Sequence, residues 1–527
     1  MEAPVLSPDG RLLAFAATNS SGESWLWVRP LGSMSARALP DTEGASQPFW
    51  SPDSRSIGYF SKRKLKKIEV SSGTSQTVCD ATQDNGGTWN RDGVIIFSPT
   101  TELYRVSAAG GDPTRLTTLD SSHRELLHSW PYFLPDGRHF LYLVYSAQQQ
   151  TRGIYLGSLD SKVTQRLVLA DSSAAYAAPG YLLFMREGTL LAQPFDPKRF
   201  RLGSQAFAVT QHVAYSIHSV RGAFSASDTG VLAFWRGGSK QLAWFDRIGK
   251  RLGSLGPPGP YSGPAISPDE KTVAVEAPDP QTGVPNIWLI ELARGVSTRF
   301  TFDPAPDQGA VWSPDGTSIA FSSVRDGTWD FYRKPSNGAD KEEVLLNGSD
   351  NEYVSDWSRD GRFIAYDSLN AKGDWDLWVL PLFGDGKPIP FLQTAFSELA
   401  PSFSPDGRWI SYLSNESGKL EVYVRPFPAS DRRWQVSMGA GSGASWRRDG
   451  KELFYVAPDA KLMAVTVEAD MNFKANVPTA LFDTRSVNAC GYQYAATKDG
   501  QRFLVPVEEG ASTPFNVVVN WTAELKP

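Results

Sequence analysis

The stretch Ser313-Pro314-Asp315-Gly316, running on as TSIAFSS to Ser323, decides the fold. Proline presets φ near −65° at the second position of a turn, and aspartate suits the third. Glycine then takes the left-handed conformation that side chains resist. The turn is preceded by the apolar AVW (310–312), and residues 318–323 beyond it alternate apolar and polar with a period of two. Two short antiparallel strands joined by a tight reversal are predicted here.

The pattern recurs along the whole chain. Clear copies start at Ser7, Ser51, Leu134, Ser267, Ser358, Ser404 and Arg447, and weaker ones at Asn90, Ala178, Ala226 and Thr497. With the third position as marker, the copies fall at Asp9, Asp53, Asp92, Asp136, Pro179, Asp228, Asp269, Asp315, Asp360, Asp406, Asp449 and Asp499. Successive markers are 39 to 50 residues apart. A third strand follows many copies, as in WLWVR (25–29), NIWLI (286–290) and EVYVR (421–425), and a second turn leads to a fourth, as at 298–302. Four antiparallel strands repeating every forty-odd residues make the blade of a β-propeller. The fold class is all-β, with about twelve four-stranded blades. Almost no helix is expected, because no stretch carries a sustained 3.6-residue apolar stripe.

A chain of 527 residues is long for one core, and a single ring of twelve blades would leave its centre unfilled. Two six-bladed rings in tandem are expected. The stretch GPPGPYSGP (256–264) falls between the sixth and seventh copies and reads as a Gly/Pro linker, giving a first ring over 1–255 and a second over 265–527. After Asp499 only three strands can be counted. This predicts a last blade one strand short, to be completed by residues upstream of Met1.

Apolar residues make up 41% and charged ones 21%, the balance of a soluble globular protein. The net charge of −5 supplies no basic field for a phosphate backbone, so nucleic acid is a poor partner. No apolar run approaches the roughly 20 residues that span a bilayer, so membrane insertion by this chain is not expected. The opening MEAPVLSPDG has no basic-then-apolar leader pattern. Cys79 and Cys490 have neither zinc nor redox spacing.

The turn motif, the period and the third-strand pattern S-x-x-D-G-x-x-D-hydrophobic-aromatic (SVRDGTWDFY from Ser323) resemble the TolB-type propeller repeat over essentially the whole chain. GYLLFMREGTLLAQPFDPKRFRL from Gly180 and FNVVVNWTAEL from Phe515 are similar to the propeller region that follows the kinase domain in some large bacterial serine/threonine kinases. That resemblance implies a non-enzymatic sensing or binding module, and its alternative a protein-interaction scaffold of the cell envelope like TolB. It also implies an extracytoplasmic setting.

The chain has no Gly-rich kinase loop, Val-Ala-Ile-Lys strand, His-Arg-Asp loop or Asp-Phe-Gly, so a kinase label would not describe its chemistry. The propellers of prolyl-oligopeptidase-like hydrolases are similar too, but they accompany a Gly-x-Ser-x-Gly elbow, and the nearest string here, GSGAS from Gly441, has the wrong register. The five histidines (His123, His128, His139, His212, His218) form no His-Glu-x-x-His pair. No catalytic residue, metal site or cofactor is assigned. A hydrolase or lyase with dispersed carboxylates remains the second alternative.

The marker aspartates are read as shaping their own turns. Trp50, Trp89, Trp312, Trp357 and Trp446, three residues before a marker, are read as packing blade against blade. A binding site is sought eight positions before each marker, where the chain arrives at the channel mouth. In the first ring these are Asp84 and His128, and in the second Tyr261, Asp307, Glu352, Glu398, Gly441 and Gly491. Three successive carboxylates at one register predict an acidic mouth that attracts a cationic peptide segment, an amine or a metal ion.

Overall fold

The computed structural model describes residues 4–18, 24–146, 148–186, 188–211, 213–216, 219–236, 240–280, 284–325, 327–339, 341–370, 375–469, 472–484, 493–508 and 515–524. Cys490, His212, His218 and Gly491 lie outside them. Three single-turn 3₁₀ segments are the only helical elements among the described residues.

Each repeat folds because its turn satisfies itself. Ser313 Oγ donates to Asp315 Oδ1 (2.6 Å), which also accepts from the Thr317 amide (3.0 Å), and Ser313 Oγ takes the Ser318 amide (2.9 Å). Ser7, Ser51, Ser267, Ser358 and Ser404 donate to their aspartates in the same way. These bonds engage the amides of residues that have just left one strand and not yet entered the next. The tryptophans before the turns do span blades. The indole N–H groups of Trp50, Trp312 and Trp446 donate to the carbonyls of Val5, Ala265 and Ser402, each on the first strand of the preceding blade.

Twelve blade sheets, mostly four-stranded and antiparallel, follow in chain order. They close into two circuits of six. In the first, Val5–Leu6 packs on Phe224–Ala226 and Val231–Phe234, and the Leu6 amide donates to Ser225 Oγ at 2.9 Å. In the second, Ser262–Ile266 packs against Ala495–Ala496 and Arg502–Glu508. The apolar core is correspondingly divided into one cluster per blade junction. Leu6, Leu13, Val231 and Ala233 form the closing cluster of the first ring. Cys79 lies in another junction, where burial pushes its thiol up to about 11.

Closure corrects two expectations. The sheet holding Asp499 is not short of a strand. Its order is Ala495–Ala496, Arg502–Glu508, Lys240–Asp246, Arg251–Gly259, so its outer half comes from the middle of the chain. The strand counted as missing from this sheet is thus supplied from within the chain. Nor is 256–264 a linker: it spans the end of Arg251–Gly259 and the start of the strand Ser262–Ile266. Arg251–Gly259 tolerates two prolines because it is the outermost strand, with no neighbour beyond it to bond. The first ring is finished by the far end of the chain, where Asn516–Val519 pairs with Val231–Phe234.

Trp521 secures that returning segment. It is 3% exposed, sits in the junction of the fifth and sixth blades and meets Tyr181 edge-on at 5.7 Å. Trp521→Ala is expected to cost about 3–5 kcal/mol, read as an earlier denaturant transition of the first ring. An unchanged midpoint would mean that the segment does not close the ring.

Candidate functional site

The innermost strand of most blades carries a bulge at one register. The pairing shifts between Ser46 and Phe49, Ser129 and Tyr132, Ser262 and Ala265, Gln308 and Val311, Leu399 and Ser402, and Ser442 and Ser445. The residue six before the marker takes positive φ there: Gln47, Trp130, Gly263, Gly309, Ala400 and Gly443. One extra residue reverses the alternation of everything upstream of it. The position eight before the marker is thereby turned onto the face that carries the tryptophan, against the preceding blade.

The six residues expected at the channel mouths are accordingly packed away from it. Asp307 is fully buried and bonded to Arg325 at 3.1 Å. Glu398 is 1% exposed and accepts from Thr394 Oγ1 at 2.6 Å. Glu352 is buried under Gly348, where a Cβ would lie 2.3 Å from its carboxylate. Tyr261 lies in the core between blades. His128 is buried between Glu125 Oε2 (3.0 Å) and Thr117 Oγ1 (2.9 Å), and Asp84 accepts from Ser46 Oγ at 2.5 Å. Asp307, Glu352 and Glu398 do not line the channel cavity. Among the described residues no group of three or more His, Cys, Asp or Glu is placed to hold a metal ion.

The carboxylates instead meet acids on the third strand of the blade before. Burial raises the Glu352 carboxyl to about 8, helped by Asp330 and Asp350, and raises Glu398 to about 7, with Asp376 adding to it. Asp330 and Glu421 open their third strands and accept the amides of Gly348 (3.0 Å) and Gly439 (3.1 Å) in the connection to the next blade. These acids hold the connections in place.

Residues flanking five of the six lie on a cavity of ≈ 1010 Å³ that fills the second-ring channel. Asn85, Leu127, Gln308, Asn351, Tyr353 and Leu399 reach it where Asp84, His128, Asp307, Glu352 and Glu398 do not. The two rings face each other across its mouth. Leu127, Tyr145 and Tyr215 of the first ring oppose an aromatic step in the second, where Tyr353 lies 5.5 Å from Trp329 and 5.4 Å from Trp375 between ring centres. The Arg124 guanidinium bridges the rings by donating to the Arg325 carbonyl at 2.7 Å.

Two of the carboxylates on the cavity wall belong to one blade of the second ring. Asp356 accepts from Ser402 Oγ (3.0 Å) and the amides of Phe403 (2.7 Å) and Trp357 (2.8 Å), and Asp367 accepts from Ser355 Oγ (2.6 Å). Burial raises both to about 6 against these bonds. Sequence reasoning missed the two acids and the aromatic step, because the bulge that aims Asp356 inward has no residue signature in its own strand.

With this geometry in hand, the chain can be set beside known proteins. Residues 249–376 match the TolB beta propeller domain. The match covers about a quarter of the chain. The chain is 32% identical over 147 residues to the uncharacterized peptidase YuxL of Bacillus subtilis, a match covering 27% of this chain and 21% of that protein. It is 30% identical over 156 residues to the Tol-Pal system protein TolB of Alcanivorax borkumensis, covering 28% and 35%. The chain thus spans about a third or less of the length of these relatives. Among solved structures, the putative TolB from Agrobacterium tumefaciens is 18% identical with a TM-score of 0.41, covering 52% of this chain and all of that one. The matched stretch contributes Tyr353, Asp356 and Asp367 to the cavity wall.

The raised acids fix the sign of the pH dependence. A carboxyl whose folded value lies above its ordinary 4.5 stabilises the fold below that value, and the contribution fades as pH rises toward 8. Glu352→Gln is therefore expected to raise Tm by about 1–3 °C at pH 8.5 and to leave it unchanged at pH 4. An equal shift at both pH values would show that Glu352 does not hold its proton.

Proposed function

We propose that the chain is a non-enzymatic binding module whose ligand occupies the second-ring cavity. One observation carries this reading: a space of ≈ 1010 Å³ walled by one ring, faced by the other, and lined by aromatic rings interspersed with many polar and charged groups. Size and lining are those of small-ligand sites. Binding is favoured over catalysis because Asp356 accepts three hydrogen bonds, and Asp367 one from Ser355 Oγ, all from donors of the protein itself. A general acid or base needs a free position toward its substrate. The alternative of a hydrolase with dispersed carboxylates would draw on these two residues or on Glu125, Glu270, Glu276 and Asp350, which line the same cavity.

The protein-interaction scaffold is the second reading, supported by the TolB-type match at 249–376. A kinase-linked sensor is a finer form of the first, and it rests on the sequence resemblance alone.

A thermal-shift screen of short peptides, sugars and organic acids tests the cavity. A ligand bound there should raise Tm and perturb the fluorescence of Trp329 and Trp375. It should lose about tenfold or more in affinity in Tyr353→Ala, the cost of about 1.4 kcal/mol of aromatic contact. Hits with equal affinity for both proteins would place binding elsewhere and favour the scaffold.

A further inference from the structure

The second position of the turn motif has its own pattern around the second ring. In blade order it is Pro268, Pro314, Arg359, Pro405, Arg448 and Lys498. All six line the channel cavity, at the end opposite the first ring. Proline is the residue that serves the turn, so three blades depart from the best turn chemistry, and each departure brings a cation.

Two of these cations, Arg359 and Arg448, reach toward each other across the opening. The Arg448 guanidinium reaches the carbonyl of Pro268 at 3.4 Å, on a blade two places round the ring. Arg359, two blades away on the other side, is held below its ordinary value by burial and then by Arg448. Groups on blades two apart meet only if they extend inward across the opening. Both arginines keep accessible surface toward the channel although Arg359 is partly desolvated there.

Nearby acids are committed elsewhere. Asp360 accepts from Ser358 Oγ and the Arg362 amide, Asp449 pairs with Arg447 at 2.7 Å, and Asp499 accepts from Thr497 Oγ1. Glu270 accepts the Lys498 main-chain amide at 2.6 Å, and Asp356 is held by its three donors. Among the described residues Arg359, Arg448 and Lys498 form no ion pair.

We propose that Arg359, Arg448 and Lys498 form an oxyanion site at the turn end of the second-ring channel, taking a phosphate or carboxylate group of a small ligand. Two guanidiniums crowded together, in no ion pair among the described residues and with Asp356 only partly offsetting Arg359, supply forked donors for such a group, and an arriving anion relieves the remaining repulsion. The site gives the second-ring cavity an anionic ligand class, and in that respect it rests on the cavity's being a ligand site.

Isothermal titration of the full chain at low salt with inorganic phosphate, and separately with succinate, tests the site and distinguishes the two sources of oxyanion. One-site binding of at least one anion is expected, weakened about tenfold or more in the Arg359→Gln/Arg448→Gln double variant and unchanged in Lys162→Gln, an exposed lysine of the first ring. Thermal melting of the double variant without anion should match or exceed the wild type, which separates loss of binding from loss of fold. Absence of binding by both anions, or equal affinity in wild type and double variant, overturns the site whatever Tyr353→Ala does. Binding lost in the double variant upholds it even where Tyr353→Ala leaves every cavity ligand untouched, in which case only the cavity reading falls.

Discussion

A ring of sheets has no natural end, and the last sheet must find its strands from somewhere other than the chain that precedes it. In this molecule one segment meets that demand for both rings. Arg502–Glu508 pairs along its full length with Lys240–Asp246, and a few residues on, Asn516–Val519 lies down on Val231–Phe234. Every inter-blade cluster depends on those pairings, because a blade packs on both neighbours and an open ring leaves two faces bare. The placement of the rings, and hence the cavity whose mouth they share, results from the same crossing.

What the sequence makes legible is whatever is bonded locally. Ser, Pro, Asp and Gly of each turn satisfy one another within five residues, so the motif announces itself and counts the blades. The tryptophans before the turns are equally readable, since a large ring three residues from a reversal has only the neighbouring blade to fill. Closure is not legible. The pairing of Trp244 with Leu504 joins residues half a chain apart and leaves no local mark, while the prolines of an edge strand look like those of a linker.

The site failed to be read for a subtler reason. Counting back from a turn assumes an unbroken alternation, and a single extra residue in the first strand defeats it. Glu352 and Tyr353 are neighbours in sequence, yet one is sealed between blades and the other faces the cavity. The cations at the other end were in plain view as departures from Pro in SRDG, RRDG and TKDG. They acquire meaning only when three blades are seen to share one opening.

The return of the chain to its first ring also sets the order of events during synthesis. Val231 must wait for Val519, a partner more than half the chain away, so the first ring emerges from the ribosome with an open edge while the entire second ring is made. Until then Val231–Phe234 presents unpaired amides and carbonyls, the kind of edge on which other strands add. Contacts so distant in sequence form slowly, which makes this interval the one in which the protein is most exposed to misassembly. The two rings are separate in architecture and a single unit in assembly.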